Sequence, residues 1–116
     1  MIKVEEAPLD GRPEIALRQV TGEVDMDSAE AFEQALMKPI NSGRRLLIVS
    51  LAGVTYLNSF GIGKLVKVRT ELERGGGKMA LVEVPAAIQE IFGLLQMEKL
   101  LPIVGDRAAA VQVVAS

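Results

Sequence analysis

The chain divides where its apolar residues change period. Residues 2–4, and after them EIALRQVTGEVD at 14–25, carry the alternation and β-branched content of strands, and the PLDGRP between them holds Asp10-Gly11, a hairpin turn signal. The opening therefore predicts an antiparallel pair. From about Asp27 the spacing lengthens to that of a helix: Ala29, Phe32, Leu36 and Ile40 fall on one stripe, Asp27 can cap with Glu30 three residues on, and Pro39 with the following NSG ends the run. RRLLIVSLAGV is almost unbroken apolar sequence, as expected of a strand covered on both faces or central in a sheet. A second helix over about 60–74 stops at the triple glycine 75–77, where left-handed backbone angles cost little, and the strand KMALVEV follows. Pro85 suits the first turn of a third helix carrying Ile88, Ile91, Phe92 and Leu95; LLPIV reads as a short strand; and Asp106 caps a last helix over 107–115.

Strands and helices in this order predict an α/β fold: one domain, residues 1–116, with a mixed four- to five-stranded sheet, right-handed crossovers and about four helices packed on it. A chain of 116 residues is long enough for a single core and too short for two ordinary domains.

Composition then removes function classes. With no cysteine and no histidine there are no disulfides, thiol nucleophiles, imidazole bases, or zinc sites built on sulfur or imidazole. A net charge of -2 and only four aromatics (Phe32, Tyr56, Phe60, Phe92) argue against a nucleic-acid partner. MIKVEEAPLDG carries acids where a signal peptide needs a basic and then an apolar run, and no stretch approaches the ~20 apolar residues of a membrane span, so a cytoplasmic protein without membrane insertion is expected.

Two glycine clusters invite nucleotide readings and fail them. GGGK at 75–78 lacks the remaining residues of a phosphate loop and precedes a strand rather than a helix, while GIG at 61–63 has Val66 where a dinucleotide fingerprint needs its third glycine. No cofactor is expected. Asp27 reads as a cap. Asp25, at the end of a strand, either holds a neighbouring backbone amide or faces a partner.

The start of the second helix carries more. At about 100° per residue, Ile62, Leu65, Val66, Val68 and Leu72 share one arc, and Phe60, Lys64, Lys67, Glu71 and Arg74 lie opposite, which points Phe60 away from the core. Arg69 falls inside the apolar arc, with its stem on the core and its head reaching water or an acid. Ser59 stands where strand gives way to helix. Its simplest role is the N-cap, worth about 0.5–2 kcal/mol. A phosphate there would sit over the helix's free amides and the positive end of its dipole, so the fold would tolerate a dianion while the surface changed sign. Gly61 and Gly63 keep that turn bare enough for another protein to press against it.

TGEVD before the first helix, LIVSLAGVTYLNSFGIGKL at the centre, GGGKMALVEVPAAIQEIFGLLQMEKL after it and LPIVGDRAAAV at the end make the chain resemble, over nearly its whole length, the STAS family (sulfate transporter and anti-sigma factor antagonist domains), particularly the stand-alone bacterial anti-sigma factor antagonists. That resemblance implies partner switching: binding of an anti-sigma factor that is also a serine kinase, inactivation by phosphorylation of a serine in an Asp-Ser-Ser/Thr-Gly-Leu/Ile motif, and reversal by a serine phosphatase. Matched to this chain, the phosphoacceptor falls on Ser59, the motif glycine on Gly61, and the family's Gly-Glu-Leu/Ile/Val-Asp acid on Asp25. Asn58 stands in place of the motif's Asp and Phe60 in place of its second hydroxyl residue, so Ser59 is the motif's one acceptor. The expected partner-binding surface is Asp25, Asn58, Ser59, Phe60, Gly61 and Lys64, with no catalytic or metal-binding residues. A scaffold or transporter-associated STAS subunit that binds constitutively is the alternative within the family; a nucleotide-binding protein or enzyme is the alternative outside it.

Overall fold

The computed structural model describes residues 1–9 and 11–115. Strands β1 (Ile2–Ala7) and β2 (Ile15–Val24) are followed by α1 (Ala29–Asn41), β3 (Leu46–Leu57), α2 (Ser59–Arg74), β4 (Lys78–Val82), α3 (Ala86–Leu94), a 3₁₀ turn (Met97–Lys99) and α4 (Arg107–Ala115). The sheet order is β1-β2-β3-β4. β1 runs antiparallel to β2, from Ile2 opposite Gly22 to Ala7 opposite Leu17, as its turn signal predicts, although Asp10 itself lies outside the described residues. β2, β3 and β4 are mutually parallel.

Because side chains alternate across a strand, the sheet builds two cores. One face carries Ala16, Val20, Leu47, Val49 and Leu81 against Phe32 and Leu36 of α1, Leu65 and Leu72 of α2, and Ile88 and Phe92 of α3. The other carries Ile15, Leu17, Ile48, Ala80 and Val82 against Ala110 and Val114 of α4. The unbroken apolar run of β3 follows from this, since it is covered on both sides.

Several elements depart from the pattern-based expectation, each for a local reason. β1 reaches Ala7 instead of stopping at residue 4, because β2 offers it a full-length ladder. Pro39 sits inside α1, not at its end; the helix continues to Asn41, and Ser42 Oγ donates to the Pro39 carbonyl oxygen at 2.8 Å. β4 ends at Val82 because Glu83 adopts a left-handed backbone (φ 55°). LLPIV makes one bridge, Leu81 to Ile103, rather than a fifth strand: Pro102 has no N–H to give a ladder, and Gly105-Asp106 turns the chain straight into α4. Asp106 caps that helix as expected, its carboxylate accepting from the Ala109 amide at 2.8 Å. On α3, Ile88 and Phe92 point inward, but Ile91 and Leu95, expected on the same stripe, do not.

Candidate functional site

β2 and β3 end side by side, Val24 opposite Leu57, and the chain continues from one into the β2–α1 turn and from the other into α2. The Asn58 amide donates to the Val24 carbonyl oxygen at 3.1 Å, joining the two exits. Asn58 is the N-cap of α2: its backbone is extended and its side-chain oxygen accepts from the Gly61 amide at 3.0 Å. This corrects the expectation for Ser59, which is the first helical residue and not the cap. Two adjacent residues could each have capped, and the chain extends through Asn58 before turning, which puts the longer carboxamide in reach. Ser59 is left exposed, its hydroxyl without a hydrogen bond among the described residues.

Gly61, expected to keep the turn bare for a partner, is instead buried and is a packing requirement. A methyl group there would lie 2.5 Å from Leu57 Cδ1 and 2.6 Å from Val24 Cγ1, so its absence lets α2 settle onto the ends of both strands. Gly63, one half-turn on, faces open space. Gly63→Ala is therefore expected to stabilise the fold by about 0.5–1 kcal/mol through helix propensity alone, measurable by urea denaturation.

The β2–α1 turn is organised by Asp25. Its Oδ1 accepts from the amides of Asp27 and Ser28, both at 3.0 Å, and the Ser28 amide first, then the Ser28 hydroxyl, hold the carboxyl below its ordinary value. Of the two roles open to Asp25, it performs the holding of backbone amides. Asp27, expected to cap α1, does not: the preceding acid already satisfies the turn, and Glu30 pairs with Gln34 and Lys64 instead of closing a capping box.

Phe60 is 52% exposed, as the helical wheel requires. Lys64 and Lys67 lie on the same outer side but reach back to α1. Lys64 Nζ is 2.7 Å from Glu33 and 3.1 Å from Glu30, and Lys67 Nζ is 3.0 Å from the buried Glu33. Lys64 first and Lys67 second hold Glu33 in its charged form at lower pH than usual, and Glu33 in turn raises the Lys64 ammonium. Arg69 is half-buried and pairs with Glu73 at 3.0 Å.

Two further apolar side chains are exposed near this end of the sheet: Met26 in the β2–α1 turn at 68% and Tyr56 at 50%, two residues before Asn58. Met26 is not on the surface expected from the sequence, which takes in Asp25 beside it. An apolar residue between two acids in a turn is the signal that could have found it. A cavity of about 540 Å³, lined by Glu6, Arg12, Ile15 and Arg44 among others, lies at the opposite end of β2.

Residues 6–110 match the family model described as STAS domain. BtrV of Bordetella bronchiseptica, named for a proposed role as an anti-sigma factor antagonist, is 26% identical over 89 residues, 77% of this chain and 77% of that one. The crystal structure of an anti-sigma factor antagonist from Mycobacterium paratuberculosis superposes with a TM-score of 0.84 at 24% identity, covering 100% of this chain and 96% of that one. The Bacillus cell fate determinant SpoIIAA in its phosphorylated form gives 0.67 at 18%, covering 97% and 99%. At such identities the structural matches establish the fold. Among the described residues no helix is long and apolar enough to cross a membrane.

Proposed function

Because this chain belongs to the STAS domain family, we propose that it is an anti-sigma factor antagonist. In this reading it is a non-enzymatic, cytoplasmic, single-domain module (residues 1–116) that docks the first turn of α2 on an anti-sigma factor with serine kinase activity. Phosphorylation of Ser59 releases it, and a serine phosphatase restores it. The observation that carries the proposal is that Ser59 is exposed while Asn58 does the capping, which leaves the hydroxyl without a structural task. The names of BtrV and of the phosphorylated SpoIIAA support the same direction.

A phosphoryl group on Ser59 would lie at the first turn of a 16-residue helix, whose leading amides have no intrahelical acceptor. The fold accommodates the charge; a partner seated on Phe60 and the bare turn does not. Within the docking surface, Asn58, Ser59 and Phe60 form the contact, whereas Gly61, Asp25 and Lys64 shape it, the first by seating α2 on the strand ends, the second by fixing the β2–α1 turn and the third by tying α2 to α1. No cofactor and no direct nucleic-acid contact enter. A constitutive STAS scaffold is the second reading, favoured by the neutral Asn58 beside the acceptor.

Titration calorimetry against the host's anti-sigma factors, with a parallel ATP phosphorylation assay read by mass spectrometry, separates the two. Wild type and Ser59→Ala should bind alike and melt alike, Ser59→Asp should bind about tenfold or more weakly, and only wild type should gain phosphate. Equal binding of all three, with no phosphate gained, would leave the scaffold reading in place.

A further inference from the structure

α3 is apolar over a wider arc than the fold covers. At about 100° per residue, Ile91 and Leu94 lie roughly 60° and 120° round the axis from Ile88, on the side away from Gln89. Only Ile88 and Phe92 of this helix are buried. Ile91 is 38% exposed, Leu94 79%, Leu95 51%, and Leu100, just past the 3₁₀ turn, 43%. The Gln96 amide donates to the Gly93 carbonyl oxygen at 3.1 Å, and the Lys99 amide to that of Gln96 at 3.3 Å, so the helix end runs directly into the turn. A helix apolar nearly all round is normally covered all round, and large apolar side chains exposed together mark an interaction surface.

We propose that this face pairs with the same face of a second copy of the chain in a two-fold dimer. A two-fold interface sets a patch against itself, so an apolar centre meets an apolar centre. The rim supplies the second argument: Glu90, Glu98 and Lys99 are exposed, and none forms an ion pair among the described residues. Across a two-fold axis the lysine of one copy meets the acids of the other, whereas a partner of single sign would oppose part of the rim with like charge. The pairing uses a different helix from the α2 docking turn, so a dimer carries two such turns, and the inference does not depend on what they bind.

Sedimentation equilibrium of the full chain alone, up to several hundred micromolar, tests this. Wild type should show a reversible dimer. Leu94→Arg, at a position exposed enough to leave folding unchanged, should raise the dimer dissociation constant by about tenfold or more, with an unaltered melting temperature as the control for folding. Lys99→Glu, which leaves a purely acidic rim, should weaken the dimer as well. A chain that stays monomeric throughout overturns the proposal, as does a dimer indifferent to both substitutions. So does a different protein that takes this face while the wild-type chain remains monomeric.

Discussion

Gly61→Val is expected to destabilise the chain by about 1–3 kcal/mol, the range for forcing extra carbon into a packed site, and to weaken binding at the first turn of α2 at the same time. A Cβ there meets Leu57 Cδ1 at 2.5 Å and Val24 Cγ1 at 2.6 Å, and both of those side chains are buried, so neither has space to swing into. The helix must instead lift off the strand ends, carrying Ser59 and Phe60 with it. Urea denaturation reads the first effect and calorimetry the second. If Gly61→Val unfolds with wild type, the seat of α2 is not set by this contact.

Phe60→Ala should separate the same two quantities. The ring is half exposed and belongs to neither core, so its loss should change folding by no more than about 0.5 kcal/mol. As a large apolar side chain at the centre of the docking turn it should cost about 2 kcal/mol of partner affinity, or about 30-fold. Matched losses in melting temperature and affinity would place the ring inside the fold and sink the docking assignment.

The elements were legible because periodicity reports burial, and in this chain burial follows the sheet. The run in β3, the α1 stripe and the inward arc of α2 were all set by which face of the sheet they meet. What misled was competition between adjacent polar residues. Asn58 and Ser59 are both good caps, as are Asp25 and Asp27, and which one acts depends on where the backbone turns, a matter of a single residue that composition does not encode. α3 misled differently. Its apolar residues outnumber the positions the sheet can cover, so a rule that equates apolar with buried overcounts its core. The fifth strand failed on Pro102, whose missing donor was present in the sequence and outweighed the apolar character around it. The ties from Lys64 and Lys67 to Glu33 span 31 and 34 residues of chain respectively by position, a separation no local pattern reports.

The strands stand in the sheet in the order in which they occur in the chain. Each new strand can therefore be laid against the one made just before it, and a chain emerging from its N-terminus can extend the sheet at one edge without threading or waiting for distant sequence. The two faces do not close together, however. α1 and α2 cover theirs as they are made, but Ile15, Leu17, Ile48, Ala80 and Val82 on the other face all wait for α4, which follows all four strands. Glu83 ties that helix to the sheet: in its left-handed turn just past β4, it accepts from Ser50 on β3 and from Arg107, the first residue of α4. A chain cut before the nine-residue α4 would therefore present an apolar face spanning three strands to whatever is nearest.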